Sequence, residues 1–294
     1  MMKPPVIALL LTCLAAAPSH AAISVKDGSG ATVTLAQPAQ RVVTLAPHAT
    51  ELIYAAGAGK RIVGASDYSD YPPEANAIPR IGSSHQIDIE RLLALRPDLV
   101  VVWQGGNGER QLEPLRKLGV PIYRSEPKSL DDIANEIERL GKLTATEASA
   151  RQSATALRTR LATLAERYRD KPPVSVFYQV WDQPLFTLNG RQIVSDAIRL
   201  CGGVNVFADL AALAPTVGIE AVLQKNPEVI VRGSKDGETP SALAMWKSYP
   251  ATLAVQRGNL YTVRSDLMTR AGPRMVDGAE ALCGLLDQAR GKRP

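Results

Sequence analysis

The chain has 294 residues, 45% hydrophobic and 21% charged, which excludes a disordered or fibrous protein and leaves room for two domains with real cores. Lysine and arginine number 34 against 29 aspartate and glutamate, a formal net charge of +5. With no basic run, that excess is too mild and dispersed for a nucleic-acid or membrane-surface partner.

The N-terminus reads as an address. Lys3 precedes an apolar stretch over residues 6–17, followed by Pro18-Ser-His-Ala21-Ala22. This is the pattern of a cleaved secretory signal peptide, residues 1–22, and the run is too short to span a bilayer. Leu10-Leu-Thr-Cys13 is a poor lipoprotein box because of Thr12. Cleavage leaves Cys201 and Cys283 as the two cysteines. In an oxidising compartment they pair by default; the alternative is two buried thiols.

Residues 23–40 read as a short hairpin turning at Asp27-Gly-Ser-Gly30. Residues 41–45 are a strand, and Pro47 opens a helix with Glu51 in its first turn. A strand over 61–65 completes a βαβ unit and runs into the aromatic loop Asp67-Tyr-Ser-Asp-Tyr-Pro-Pro73. A short helix and an unbroken apolar strand fill 89–103; a helix over 109–118 and a strand over 120–123 follow. Ser129 caps a helix with an apolar face at Ile133, Ile137 and Leu140, ending at Gly141.

Thr144 and Glu147 read as a capping box for the longest helix, about 25 residues or roughly 37 Å, which stops before Pro172-Pro173. It has one thin apolar stripe, Ala150, Ala154, Leu157, Leu161, Leu164 and Tyr168. That fits a connector between two α/β segments; the alternative is an ordinary surface helix of the second. Beyond it come a strand over 174–180, a loop over 181–186, a helix over 193–200, a segment over 243–249, a strand over 259–263, a loop over 265–272 and a final helix to Gln288.

The organising feature is a repeat. Ile89-Glu-Arg-Leu-Leu-Ala-Leu-Arg-Pro-Asp-Leu-Val-Val101 returns as Ile219-Glu-Ala-Val-Leu-Gln-Lys-Asn-Pro-Glu-Val-Ile-Val231, offset by 130 positions. A strand without polar alternation is buried on both faces, as in a helix-covered parallel sheet. The fold expected is therefore α/β: two similar lobes with mainly parallel sheets, residues 23–142 and 171–294, joined by one long helix over 143–170.

No zinc-protease, serine-hydrolase or phosphate-loop motif is present, and His48 and His85 are the two histidines of the mature chain. No metal site is expected, and no catalytic role. What the chain does concentrate, at 5% aromatic content, is aromatics in loops after strands: Tyr68, Tyr71, Trp103, Trp181 and Phe186. Ligands of open α/β sheets bind beyond the carboxyl ends of strands, so these point to a cleft.

Arg41-Val-Val-Thr-Leu-Ala-Pro-His-Ala-Thr-Glu51, the Tyr68-Ser-Asp-Tyr-Pro-Pro73 loop, Trp103-Gln-Gly-Gly-Asn107 and Cys201-Gly-Gly-Val-Asn-Val-Phe207 resemble the periplasmic vitamin B12-binding proteins of ABC importers. The first pattern is shared with siderophore- and haem-binding relatives; the second and third are particular to the cobalamin branch. The resemblance implies a periplasmic monomer that holds a corrinoid between its lobes as transported ligand, with no cofactor. It also implies a Cys201–Cys283 disulfide. Ligand contacts carried over are Tyr68, Trp103, Phe186 and Asp266, Leu267, Met268, Thr269 and Arg270, with His85 beside Ser84, where the family has a stacking tryptophan. Leu267 replaces another family aromatic.

Glu90 and Glu220 each sit in the first turn of the repeated helix, where the helix dipole alone favours an acid. In the resembling family such glutamates meet arginines of the permease dimer, which works with its ATPase subunits. Two readings compete with corrinoid delivery. A haem or ferric-siderophore carrier shares the superfamily, but haem carriers place a tyrosine where Ser83 stands. A tetrapyrrole-modifying enzyme on a chelatase-like fold would convert its ligand.

Overall fold

The computed structural model describes residues 22–83, 86–234 and 241–294, without the side chains of 241 and 242. Residues 1–21 of the expected signal peptide and His85 lie outside the described residues.

A two-stranded hairpin, β1 (Ile23–Lys26) and β2 (Thr32–Leu35), opens the described chain. Then come β3 (Val42–Thr44), α1 (Pro47–Ala55), β4 (Ile62–Ala65), α2 (Ile89–Ala94), β5 (Leu99–Trp103), α3 (Glu109–Lys117), β6 (Ile122–Ser125) and α4 (Leu130–Leu143). Helix α5 (Glu147–Tyr168) follows. The second half holds β7 (Val174–Gln179), β8 (Trp181–Asp182), β9 (Leu185–Phe186), α6 (Ile193–Leu200), β10 (Gly203–Asn205), α7 (Ile219–Lys225), β11 (Val229–Ser234), α8 (Ser241–Ala244), α9 (Leu253–Gln256), β12 (Leu260–Arg264), α10 (Ser265–Thr269) and α11 (Met275–Gly291).

The duplication seen in sequence is a duplication of topology. One sheet runs β4-β3-β5-β6 and the other β10-β7-β11-β12. Every pairing in both is parallel, and both follow the spatial order second, first, third, fourth. The repeat supplies the third strand of each sheet and the helix before it. The likeness extends to the backbone: Arg96 (φ 45°) and Asn226 (φ 42°) are both left-handed, each just before the repeated proline. The acids after those prolines have diverged. Asp98 accepts the Gln40 and Arg41 amides, whereas Glu228 pairs with Arg257 and Arg293.

Strand residues alternate between two buried faces. In the first sheet Val43, Val100 and Val102 pack with Leu92, Leu112 and Leu115 on one side. Val42, Leu99 and Val101 join a larger core that continues into the second lobe through Val174, Val176, Val229 and Val231. Helix α5 supplies Ala154, Leu157 and Leu164 to that shared core. It is tied to α4 by Arg158, which pairs with Glu138 and Asp131, and to α11 by Arg160, which pairs with Asp277 and Glu280. The long helix thus joins the lobes and packs on both.

Local expectations need correction at several points. Helix α4 runs past Gly141 to Leu143; Gly141 lacks a side chain because the Ala150 methyl of α5 occupies that space. The capping box at Thr144 does not form. The helix starts at Glu147 with Thr146 at its cap, and the Thr144 hydroxyl donates back to the Leu140 carbonyl. The 181–186 loop contains the β8–β9 hairpin, and the 265–272 loop contains α10. Glu51 lies beyond the first turn of α1, which holds no acid. The disulfide forms between Cys201, at the end of α6, and Cys283 within α11, both fully buried.

Candidate ligand-binding cleft

The carboxyl ends of the first sheet open on a cleft of about 770 Å³. Its walls follow from strand order. After β3 comes His48, after β4 Tyr68, at the end of β5 Trp103 and then Gln104, and after β6 Glu126 and Lys128. The other lobe contributes Arg191 and Gln192 before α6, Leu213, and Thr269 and Arg270 at the end of α10. Its size lies in the upper part of the range for sites that enclose a small molecule, roughly 300–1,000 Å³.

Two aromatics dominate the apolar wall. Tyr68 is 76% exposed and sits at φ 61°, a left-handed conformation that costs a bulky residue of order 1–3 kcal/mol. Trp103 is 41% exposed. Its loop is built around the indole: the Asn107 carboxamide accepts the Trp103 amide at 2.8 Å, and a side chain at Gly106 would enter the ring. The Trp-x-Gly-Gly-Asn pattern is therefore a mount for one exposed indole.

His48, which sequence reasoning counted without assigning, stands edge-on to Trp103 with ring centroids 6.3 Å apart. It is 6% exposed, and burial lowers its pKa to about 4, so the imidazole is neutral at physiological pH. Its Nε2 has no hydrogen-bond partner among the described residues.

Beside the cleft, an ion network crosses between the lobes. Arg274 grips Glu51 with two bonds, Nη2 to Oε1 at 2.6 Å and Nε to Oε2 at 3.1 Å. It also reaches Asp266 at 2.7 Å and lies over the Tyr71 ring at 4.1 Å. Arg270 pairs with Asp70 at 2.6 Å and Glu51 at 3.4 Å. The hydrogen bond from Arg270 is the main cause holding the Asp70 carboxyl below its ordinary pKa. Burial raises Asp266, but bonds from Arg264 and Arg274 outweigh it and the net shift is downward. Burial likewise lowers Arg274, and its bonds to Glu51 and Asp266 reverse that. Glu51 and Asp70 lie 200 or more positions from their arginines, which leaves no local pattern, so these bonds between the lobes were not legible in sequence.

The expected site residues are thus unevenly placed. Tyr68, Trp103, Thr269 and Arg270 line one cleft. Asp266 belongs to the ion network, Met268 is buried in the core, and Leu267 is half-buried. Phe186 is half-buried on β9 and bridges to Thr216. Glu90 and Glu220 are exposed at the second position of α2 and α7. Among the described residues no cluster of His, Cys, Asp and Glu is placed to hold a metal, and no helix is long and apolar enough to cross a membrane.

Two parallel-sheet lobes on a connecting helix, with an aromatic cleft at the strand ends, define a solute-binding protein. The family model for periplasmic binding proteins matches residues 42–267, and the chain belongs to that family. It is 41% identical over 257 residues to a vitamin B12-binding protein of Vibrio cholerae, covering 86% of this chain and 91% of that one. A vitamin B12-binding protein of Yersinia pestis is 38% identical over 248 residues, covering 84% and 86%. The crystal structure of the Vibrio cholerae periplasmic vitamin B12 binding protein BtuF superposes with a TM-score of 0.79 at 40% identity, over 86% of this chain and 98% of that one. A haem-binding protein from Roseiflexus, at 23% identity and TM-score 0.75 over 85% and 99%, shares the fold.

Proposed function

We propose that the mature chain is a periplasmic monomer that captures a corrinoid, cobalamin or a close relative, in the inter-lobe cleft and hands it to an ABC importer in the inner membrane. The observation that carries this reading is the pairing of Tyr68 and Trp103 on one cleft wall: a strained tyrosine and a glycine-backed indole, both presented to solvent. Flat rings of this kind suit the broad face of a macrocycle, and the vitamin B12-binding names of relatives above 35% identity support the same ligand. The corrinoid is cargo, and binding without conversion is the role assigned. The lobes span 23–142 and 171–294, with 143–170 as connector.

Within this reading Tyr68, Trp103, Thr269 and Arg270 touch the ligand directly. Phe186 and the 266–268 segment shape the second lobe's wall, and His85, outside the described residues, is a further ligand contact of this reading. Glu90 and Glu220 meet the permease dimer, which works with its ATPase subunits. Both helices lead into parallel third strands, so both begin at the carboxyl edge of their sheets, and their glutamates face a two-subunit partner from equivalent positions.

Visible spectra of cyanocobalamin and of haemin, each retained with the mature protein across a dialysis membrane, test the ligand. Saturable retention of cyanocobalamin with no matching retention of haemin is expected. The reverse preference would assign a haem carrier.

A further inference from the structure

The charged residues lining the cleft are Glu126, Lys128, Arg191 and Arg270. Arg270 is already matched by Asp70 and Glu51. Glu126 accepts the Gly105 amide at 2.8 Å. Lys128 and Arg191 are different. Both are exposed, and among the described residues neither side chain pairs with a carboxylate, although the Lys128 amide donates to Asp132 at 3.1 Å; the Arg191 guanidinium donates to the Ala211 carbonyl.

The two come from opposite lobes to one end of the cleft. Lys128 follows β6 and directly precedes the cap of α4, while Arg191 precedes the cap of α6. Just behind them the lobes meet, where the Leu130 amide donates to Asp196 at 2.8 Å. The acids in these first turns have other partners: Asp131 pairs with Arg158 and Asp196 with Arg199. Asp132 is held by the capping box, and Asp131 and Asp196 line a separate groove beside Arg158. The starts of α4 and α6 add the positive ends of two helix dipoles. Of the charged side chains that line this end of the cleft, two are cations without a carboxylate partner among the described residues, and one, Glu126, is a carboxylate engaged by an amide.

Resting on the corrinoid reading of the cleft, we propose that Lys128 and Arg191 form an anion subsite that reads the phosphodiester of a complete, nucleotide-bearing corrinoid. The amides around a corrin ring are neutral, and the phosphodiester tethering the lower nucleotide is a permanent anion. A guanidinium and an ammonium approaching from two sides bracket such a group with charge-assisted bonds. The subsite selects cobalamins over cobinamides, which lack the nucleotide loop.

The test is titration of wild type and of the Lys128→Gln/Arg191→Gln double variant with cyanocobalamin and with dicyanocobinamide, two overall neutral ligands that differ in the phosphodiester. The double variant should lose about tenfold in affinity for cyanocobalamin and remain within about twofold of wild type for dicyanocobinamide. The wild-type preference for cyanocobalamin should shrink as sodium chloride rises from about 0.02 to about 0.5 M. An equal loss for both ligands, or no loss for either, overturns the subsite while leaving the corrinoid reading intact. Salt-sensitive binding of inorganic phosphate by a wild type that takes both corrinoids equally also overturns it, marking a free-anion site. Failure of wild type to bind either corrinoid removes the functional reading itself and the subsite with it.

Discussion

At the scale of single residues, geometry separates side chains that face the ligand from those that hold the lobes. Tyr68 is strained where it stands, and the strain maintains an exposed ring. Tyr68→Gly removes the ring and the left-handed penalty together. Its unfolding free energy should stay within about 1 kcal/mol of wild type, while corrinoid affinity falls at least about tenfold; chemical denaturation and ligand titration read the two separately. Glu51 is 3% exposed and bound twice by Arg274. Glu51→Leu leaves that guanidinium leaning on Asp266 alone and should cost about 3 kcal/mol. A loss below about 0.5 kcal/mol in urea unfolding would mean the pair is energetically idle.

Another buried acid gives a pH signature. Glu136 is 1% exposed beside Tyr123, Ser125 and Arg139, and burial raises its pKa to about 7. The folded state therefore holds this proton over a range where the unfolded chain has released it. This group's contribution to stability is fully present below about pH 4.5 and is lost as pH rises through about 7. Glu136→Gln cannot ionise, so its stability relative to wild type should climb between pH 5 and pH 8 by up to roughly 3 kcal/mol. A difference independent of pH would show that Glu136 titrates normally.

At the scale of elements, much was legible because it is periodic or repeated. The apolar runs at 99–102 and 229–231 announced parallel strands, and the 130-residue offset announced two lobes. The paired loop motifs announced Tyr68 and Trp103. Shorter pieces escaped. Strand β10 has three residues, too few for a pattern, and α10 has five, its start hidden in what read as a turn-rich loop. Gly141 read as a helix stop, although its role is contact with Ala150 on the next helix, a tertiary fact. The bond between α6 and α11 closes a separation of 82 residues and should contribute about 4 kcal/mol by restricting the unfolded chain. Native protein should show no reactive thiol, and reduction should lower the denaturation midpoint accordingly. Stoichiometric labelling of Cys201 or Cys283 without reductant would contradict the pairing.

At the scale of the whole molecule, two equivalent sheets give equivalent helix starts, where Glu90 and Glu220 are exposed and outside the cleft lining. Glu90→Arg with Glu220→Arg should preserve corrinoid affinity and abolish transporter-dependent uptake, with each single variant impaired less. Normal uptake by the ligand-competent double variant would leave them as helix-start acids. Helix α5 packs on both lobes, and the Glu51–Arg274 pair ties them again from the cleft side. The molecule is therefore built to keep its aromatic wall in place before ligand arrives.

The central claim is that this wall, in this cleft, holds a corrinoid. Calorimetric titration of the mature protein with cyanocobalamin, run in parallel on Tyr68→Ala and Trp103→Ala, tests it most directly. One corrinoid per wild-type chain, with affinity at least about tenfold weaker in each folded variant, is the predicted result. Wild-type affinity in both variants, or no heat of binding from wild type, would contradict it.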